Sequence, residues 1–166
     1  AATAYRAAGD YEKAAALYDE AAEALRSSGC EDAYRYASLY NNISLFYAET
    51  GDDERAGAEL LKALELITKL PDCEVEEATT YINLSLLDIR HGRYDEAETY
   101  ISKALGIFKR DKGRKDKDAH YGAALSAYGD LHLKRGEYAK AVEAYEEALT
   151  EIARSYGYIN TAYRAT

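Results

Sequence analysis

The residues best suited to chemistry in this chain are three histidines, two cysteines, one basic run and a few asparagines. His91, His120 and His132 lack ligand spacing: His120 and His132 stand twelve residues apart, and His91 falls in the turn before Gly92. No Ser-His-Asp order, phosphate-cradling glycine loop or paired-carboxylate motif occurs in a context where it could work. Cys30 and Cys73 have neither zinc spacing nor the density of a disulfide framework, and read as reduced thiols of a cytoplasmic protein. "KRDKGRKDK", residues 109–117, sets six cations against two aspartates and reads as a solvated linker, with docking of an acidic partner as the alternative. Recognition chemistry remains. An asparagine amide both donates and accepts, matching a peptide unit, and Asn41, Asn42 and Asn83 can use that match. No catalytic residue, metal site or cofactor is expected, so the chain reads as non-enzymatic.

Amides recognise a peptide only when rigid elements hold them. With 166 residues the chain has room for one ordinary domain or one short repeat array. A single proline, Pro71, and abundant Ala, Glu, Leu, Lys and Tyr predict an all-α protein, because strands draw on β-branched residues that are scarce here. A formal charge of −9 disfavours a general nucleic-acid or anionic-membrane binder, which needs a basic footprint. No window approaches the roughly 18 apolar residues of a membrane span.

The chain repeats itself. "GDYEKAAALYDEAA" begins at Gly9, "GDDERAGAELLKAL" at Gly51, "GRYDEAETYISKAL" at Gly92 and "GEYAKAVEAYEEAL" at Gly136, at intervals of 42, 41 and 44 residues. A fixed period of this size marks a stacked array. Five residues after each glycine stands Ala14, Ala56, Ala97 or Ala141, and twelve after it Ala21, Ala63, Ala104 or Ala148. These offsets share one helical face, where alanine admits a neighbouring backbone. A second periodic stretch precedes each glycine, so the glycine reads as a left-handed C-cap between two antiparallel helices. Tyr11, Tyr94 and Tyr138, two residues past their glycines, together with Tyr18, Tyr40, Tyr81 and Tyr145, are expected in the core; Asp88 and His132 stand where Tyr47 predicts an aromatic.

These residues resemble the tetratricopeptide repeat, through Tyr40, Ile43, Ser44, Tyr47, Gly51, Ala56, Leu60 and Ala63 and their counterparts in the next two copies. The period near 42 is similar to the long-helix subtype of kinesin light chains. The resemblance implies a right-handed α-solenoid, a superhelix of stacked antiparallel helix pairs, as one array over residues 1–166. Its expected units are 1–28 (a partial first helix), 31–70, 73–110, 117–156 and the start of a fifth at 158–166. "ATAYRAAG" reads as mid-helix and the fifth unit stops early, so the expectation is a piece of a longer array or of a protein with flanking parts.

Stacked hairpins leave an inner wall lined by the first helix of each pair. Periodicity selects Asn41, Asn42 and Leu45 in the second unit, Asn83, Leu86 and Arg90 in the third, and Ser126, Asp130 and Lys134 in the fourth as peptide-contacting residues of a concave groove. In peptide-binding members of the family, asparagines at the offset of Asn42 and Asn83 hold the ligand backbone, and the resemblance carries that role to these two; the alternative is that both bond a neighbouring helix or water. The leucines would take apolar side chains and Arg90 an acidic group. The expected partner is a protein or peptide, with no nucleic acid, no membrane, and self-association through incomplete terminal units as a further partner. Alternative functions are a peptide-sensing regulatory receptor fragment that switches an attached output domain, and a structural or self-associating scaffold.

Overall fold

Each of the four repeat glycines adopts a left-handed backbone: φ is +76° at Gly9, +86° at Gly51, +75° at Gly92 and +77° at Gly136. That conformation is what lets a helix end and the chain turn back. In every case the next residue's N–H reaches the carbonyl five residues earlier, Asp10 to Tyr5, Asp52 to Tyr47, Arg93 to Asp88 and Glu137 to His132, at 2.8–3.0 Å. This is the Schellman closure of a helix C-terminus, and it makes each glycine the hinge of a helical hairpin.

The computed structural model describes residues 1–27, 33–110 and 118–164. Among them are eight helices and no strand: α1 (Ala2–Ala7), α2 (Tyr11–Ser27), α3 (Ala33–Thr50), α4 (Asp53–Ile67), α5 (Glu74–Arg90), α6 (Tyr94–Arg110), α7 (Asp118–Lys134) and α8 (Tyr138–Arg164). The all-α expectation holds. Residues 111–117, most of the basic run, and Cys30 lie outside the described residues. None of the described helices is long and apolar enough to cross a membrane.

The chain divides into two compact units, Ala1–Thr80 and Tyr81–Thr166. In the first, Ala14 and Tyr18 of α2 pack on Ile43 and Phe46 of α3. Ala37, Ala63, Ile67 and Cys73 form a second cluster where α3 meets α4 and the following turn. In the second unit Ala97, Ile101 and Ala104 of α6 and Ala141, Ala144 and Ala148 of α8 are buried. Small residues set the spacing most tightly between α7 and α8: a Cβ on Gly129 would fall 2.6 Å from the Tyr145 ring, and one on Gly122 2.5 Å from Ile152 Cγ1.

Helix starts differ between the units. Asp10 and Asp52 cap the helices they precede, accepting from Lys13 N and Arg55 N at 3.3 and 3.1 Å. Arg93 and Glu137 hold the same place in the second unit and reach back instead. Arg93 pairs with Asp88 at 2.6 Å, and Glu137 pairs with His132.

One expectation is corrected. Tyr11 lies against Phe46 of α3 yet is 41% exposed, and Tyr138 is 68% exposed, because among the described residues no helix follows α8 to cover it. The helix α8 runs through Tyr158 to Arg164, residues that the expected fifth unit includes. Gly157 is absorbed into the helix at a cost of about 1 kcal/mol relative to alanine.

Candidate protein-binding surface

Asn41, Asn42 and Leu45 lie on α3 in the first unit, all half-buried. The Asn41 amide donates to the hydroxyl of Thr80 at 2.9 Å and to the Ala37 carbonyl at 3.3 Å. Thr80 is fully buried and donates in turn to the Glu76 carbonyl, so Asn41 ties α3 to the start of α5. Asn42 behaves differently: its amide N–H donates at 2.8 Å to Ser38 O, one turn back on its own helix, and its Oδ1 bonds to no described residue. Beside Asn42 a cleft of about 440 Å³ is lined by Leu39 of α3 and by Leu17, Tyr18, Ala21 and Ala24 of α2.

In the second unit, Asn83, Leu86 and Arg90 share α5. Asn83 is half-buried with a contact of its own, Leu86 is exposed, and Arg90 lies exposed in the last turn. Ile82 and Ala127, next to Asn83 and Ser126 in the sequence, are buried, which narrows what that wall can offer a partner. On α7, Ser126 is half-buried and Lys134 exposed. Asp130 is held from within, because Tyr145 Oη donates to Oδ1 at 2.5 Å. Burial, then this bond, pushes the Tyr145 phenol up to about 12. Asp130 therefore clasps α7 to α8.

A cavity of the second unit lies elsewhere. Tyr121, Leu125, Tyr128 and His132, a stripe on the side of α7 opposite Ser126, Asp130 and Lys134, floor a pocket of about 410 Å³ between α6 and α8. Tyr121 Oη donates to Glu147 at 3.2 Å. Burial and the nearby Glu147 carboxylate raise the pKa of that phenol. Among the described residues, no group of three or more His, Cys, Asp or Glu side chains could hold a metal ion.

Three family models, each described as tetratricopeptide repeat, match residues 1–31, 35–110 and 82–156. The chain belongs to the tetratricopeptide-repeat family. Such repeats are in general protein-interaction modules and typically non-catalytic. The regulatory protein RapG of Bacillus subtilis (strain 168) is 26% identical over 158 residues, 93% of this chain and 41% of that protein. A clustered mitochondria protein homolog of Aspergillus oryzae is 29% identical over 130 residues, and the regulatory protein AfsR of Streptomyces griseus 30% over 107. They cover 76% and 64% of this tetratricopeptide-repeat chain, which spans 10% of each. Among solved structures, BtubC (BKLC) from P. vanneervenii superposes with a TM-score of 0.76 at 26% identity, over 94% of this chain and 62% of that one.

The α7 pocket of the tetratricopeptide-repeat chain escapes a reading by groove stripe, because its floor sits at core offsets. The signal in the sequence is His132, a polar residue where the repeat calls for an aromatic.

Proposed function

We propose that the chain is a protein-interaction module that binds an extended peptide segment through the first helices of its hairpins, each unit contributing its own stripe. Asn42 and Asn83 address the peptide backbone, Leu45 and Leu86 take apolar side chains, and Arg90, Ser126 and Lys134 supply polar contacts. Asn41 and Asp130, bonded to Thr80 and Tyr145, hold the helices that carry these residues.

The observation that carries this reading is Asn42. Its amide nitrogen is committed to Ser38, while its carbonyl oxygen, beside an apolar cleft, bonds to none of the described residues. A half-buried acceptor of that kind gains about 1 kcal/mol when a partner N–H replaces water. The test is a fluorescence binding screen of the chain against extended peptides, repeated with Asn42→Ala and Asn83→Ala. Each variant should weaken the best binder by about fivefold or more while helical circular dichroism stays unchanged. Unaltered affinity would move the weight to a structural scaffold.

A second reading draws on RapG and AfsR, both named regulatory proteins, of which this chain spans a part. In that reading peptide binding here switches an output domain elsewhere in the same polypeptide. Peptide-dependent activity of the full-length protein would support it, and indifference to peptide would end it. Both readings place the module in the cytoplasm, where buried Cys73 stays a thiol; cell fractionation checks this.

A further inference from the structure

Helices antiparallel about a turn bring residues at equal distances before and after it face to face. Counted from the repeat glycines, positions four before and four after are Tyr5 and Lys13 in the first hairpin and Tyr47 and Arg55 in the second. Positions eleven before and after are Tyr40 and Lys62, then Tyr81 and Lys103. In all four pairs the cation lies over the tyrosine ring, at 5.4, 5.6, 5.7 and 5.2 Å from its centroid. Such contacts are worth about 0.5–1 kcal/mol at exposed sites, and each fills the hairpin face with a ring.

The third hairpin keeps the outer pair alone, with Asp88 and Glu96 at its inner positions, and the fourth keeps neither. Its inner pair is His132 and Lys140, its outer pair Leu125 and Glu147. The cation at the inner position is kept, but neither tyrosine is. This is where the pocket of about 410 Å³ opens, over Leu125 and His132 and beside Lys140. Its size is within the range of ligand sites.

The polar groups narrow the occupant. Lys109 and Lys140 are offset at the rim by Glu143 and Glu147, so the site selects for no net charge. His132 is 2% exposed; its Nδ1 pairs with Glu137, its ring packs edge-on to Tyr128 at 4.3 Å, and its buried Nε2 has no hydrogen-bond partner among the described residues. An imidazole with one nitrogen engaged and the other unanswered suits a ligand with a hydroxyl.

We propose that this pocket receives a tyrosine side chain presented by a partner polypeptide, its ring taking the place beside Lys140 that Tyr5 and Tyr47 take beside the inner cations of the first two hairpins, with its hydroxyl directed toward His132. This site lies on the side of α7 opposite Ser126, Asp130 and Lys134, so it stands or falls apart from the peptide-binding stripe.

The test is a titration of the 15N-labelled chain with N-acetyl-tyrosinamide, followed by amide shifts. Saturable shifts at Leu125, His132 and Ala144 are expected in the millimolar range, as for a single anchoring side chain. N-acetyl-phenylalaninamide should bind at least threefold more weakly and N-acetyl-leucinamide not measurably. Leu125→Tyr, which puts a ring back at the outer position and fills the pocket, should abolish the shifts with helical circular dichroism intact. Lys140→Ala, at an exposed position, should weaken binding at least threefold and serves if the first variant does not fold; Lys69→Ala in the first unit should change nothing. Absence of saturation, equal shifts from the leucine probe, or binding that survives both pocket variants overturns the proposal. So does a response to free tyrosine without one to the capped form, which would make the occupant a metabolite.

Discussion

Tyr145 of α8 donates its phenolic hydrogen to Asp130 Oδ1 of α7 at 2.5 Å, so a residue that periodicity assigns to the partner-facing stripe is spent on joining two helices of one hairpin. The phenol's pKa is raised from 10.0 to about 12, chiefly by burial. A group raised on folding stabilises fully below its unfolded value and loses that contribution as pH rises through the folded one. Tyr145→Phe should therefore cost about 1–2 kcal/mol at neutral pH. It should also remove the part of the alkaline stability loss that falls between pH 10.0 and about 12. Urea midpoints measured across that range check both.

Gly136 tests the hinge. Its φ is +77°, and a Cβ there would meet nothing within 4 Å, so the cost of a side chain is in the backbone alone. Gly136→Ala should destabilise by about 1–2 kcal/mol, and Gly136→Asn by less, because asparagine tolerates the left-handed region. Equal urea midpoints for the wild type and the alanine variant would contradict the turn assignment.

Two helical glycines should respond in opposite directions. Gly129→Ala drives a methyl into the Tyr145 ring at 2.6 Å, displacing the side chain that holds Asp130; a loss of about 1–3 kcal/mol is expected. Gly106 in α6 has nothing within 4 Å of a Cβ, so Gly106→Ala should gain about 0.5–1 kcal/mol from the lower entropy of the unfolded chain. Thermal melts of the two variants give the comparison.

Acid should loosen the fourth turn. Glu137 has its pKa lowered from 4.5, first by its bond to His132 and then by Lys140. A lowered carboxyl contributes above its unfolded pKa and loses that contribution as pH falls through the folded value. The contribution of Glu137 is thus complete above about pH 4.5 and declines below it. Glu137→Gln should flatten the acid limb of the stability curve, measured by urea midpoints from neutral pH downward; an unchanged limb would show that the pair carries no stability.

The backbone was readable because each demand on it falls on one residue type at a fixed offset. Only glycine takes the left-handed hinge freely, and only alanine fits where Ala56, Ala97 and Ala141 have at most 2% of their surface left. The binding surface was less readable, since a stripe says which way a residue faces and not what it can reach. Asn41 and Asn42 are neighbours in the sequence, yet one is drawn to Thr80 across the helix interface and the other bonds back to Ser38 on its own helix. Tyr138 fits the core pattern as well as Tyr18 does, but its burial depends on a covering helix, a relation no single offset encodes.

The side-chain pairs that close the third and fourth turns run in opposite senses, with Asp88 before the glycine answering Arg93 in one and His132 answering Glu137 in the other. Were the second helix of one hairpin to dock on the first helix of the other, Asp88 would confront Glu137 and His132 would confront Arg93. Both mismatches are repulsive when the imidazole is protonated, and the carboxylate pair is repulsive at any pH above the acid range. In a molecule whose helices are near copies, reversed polarity labels each helix with its rightful neighbour and guards against swapping between hairpins or between chains.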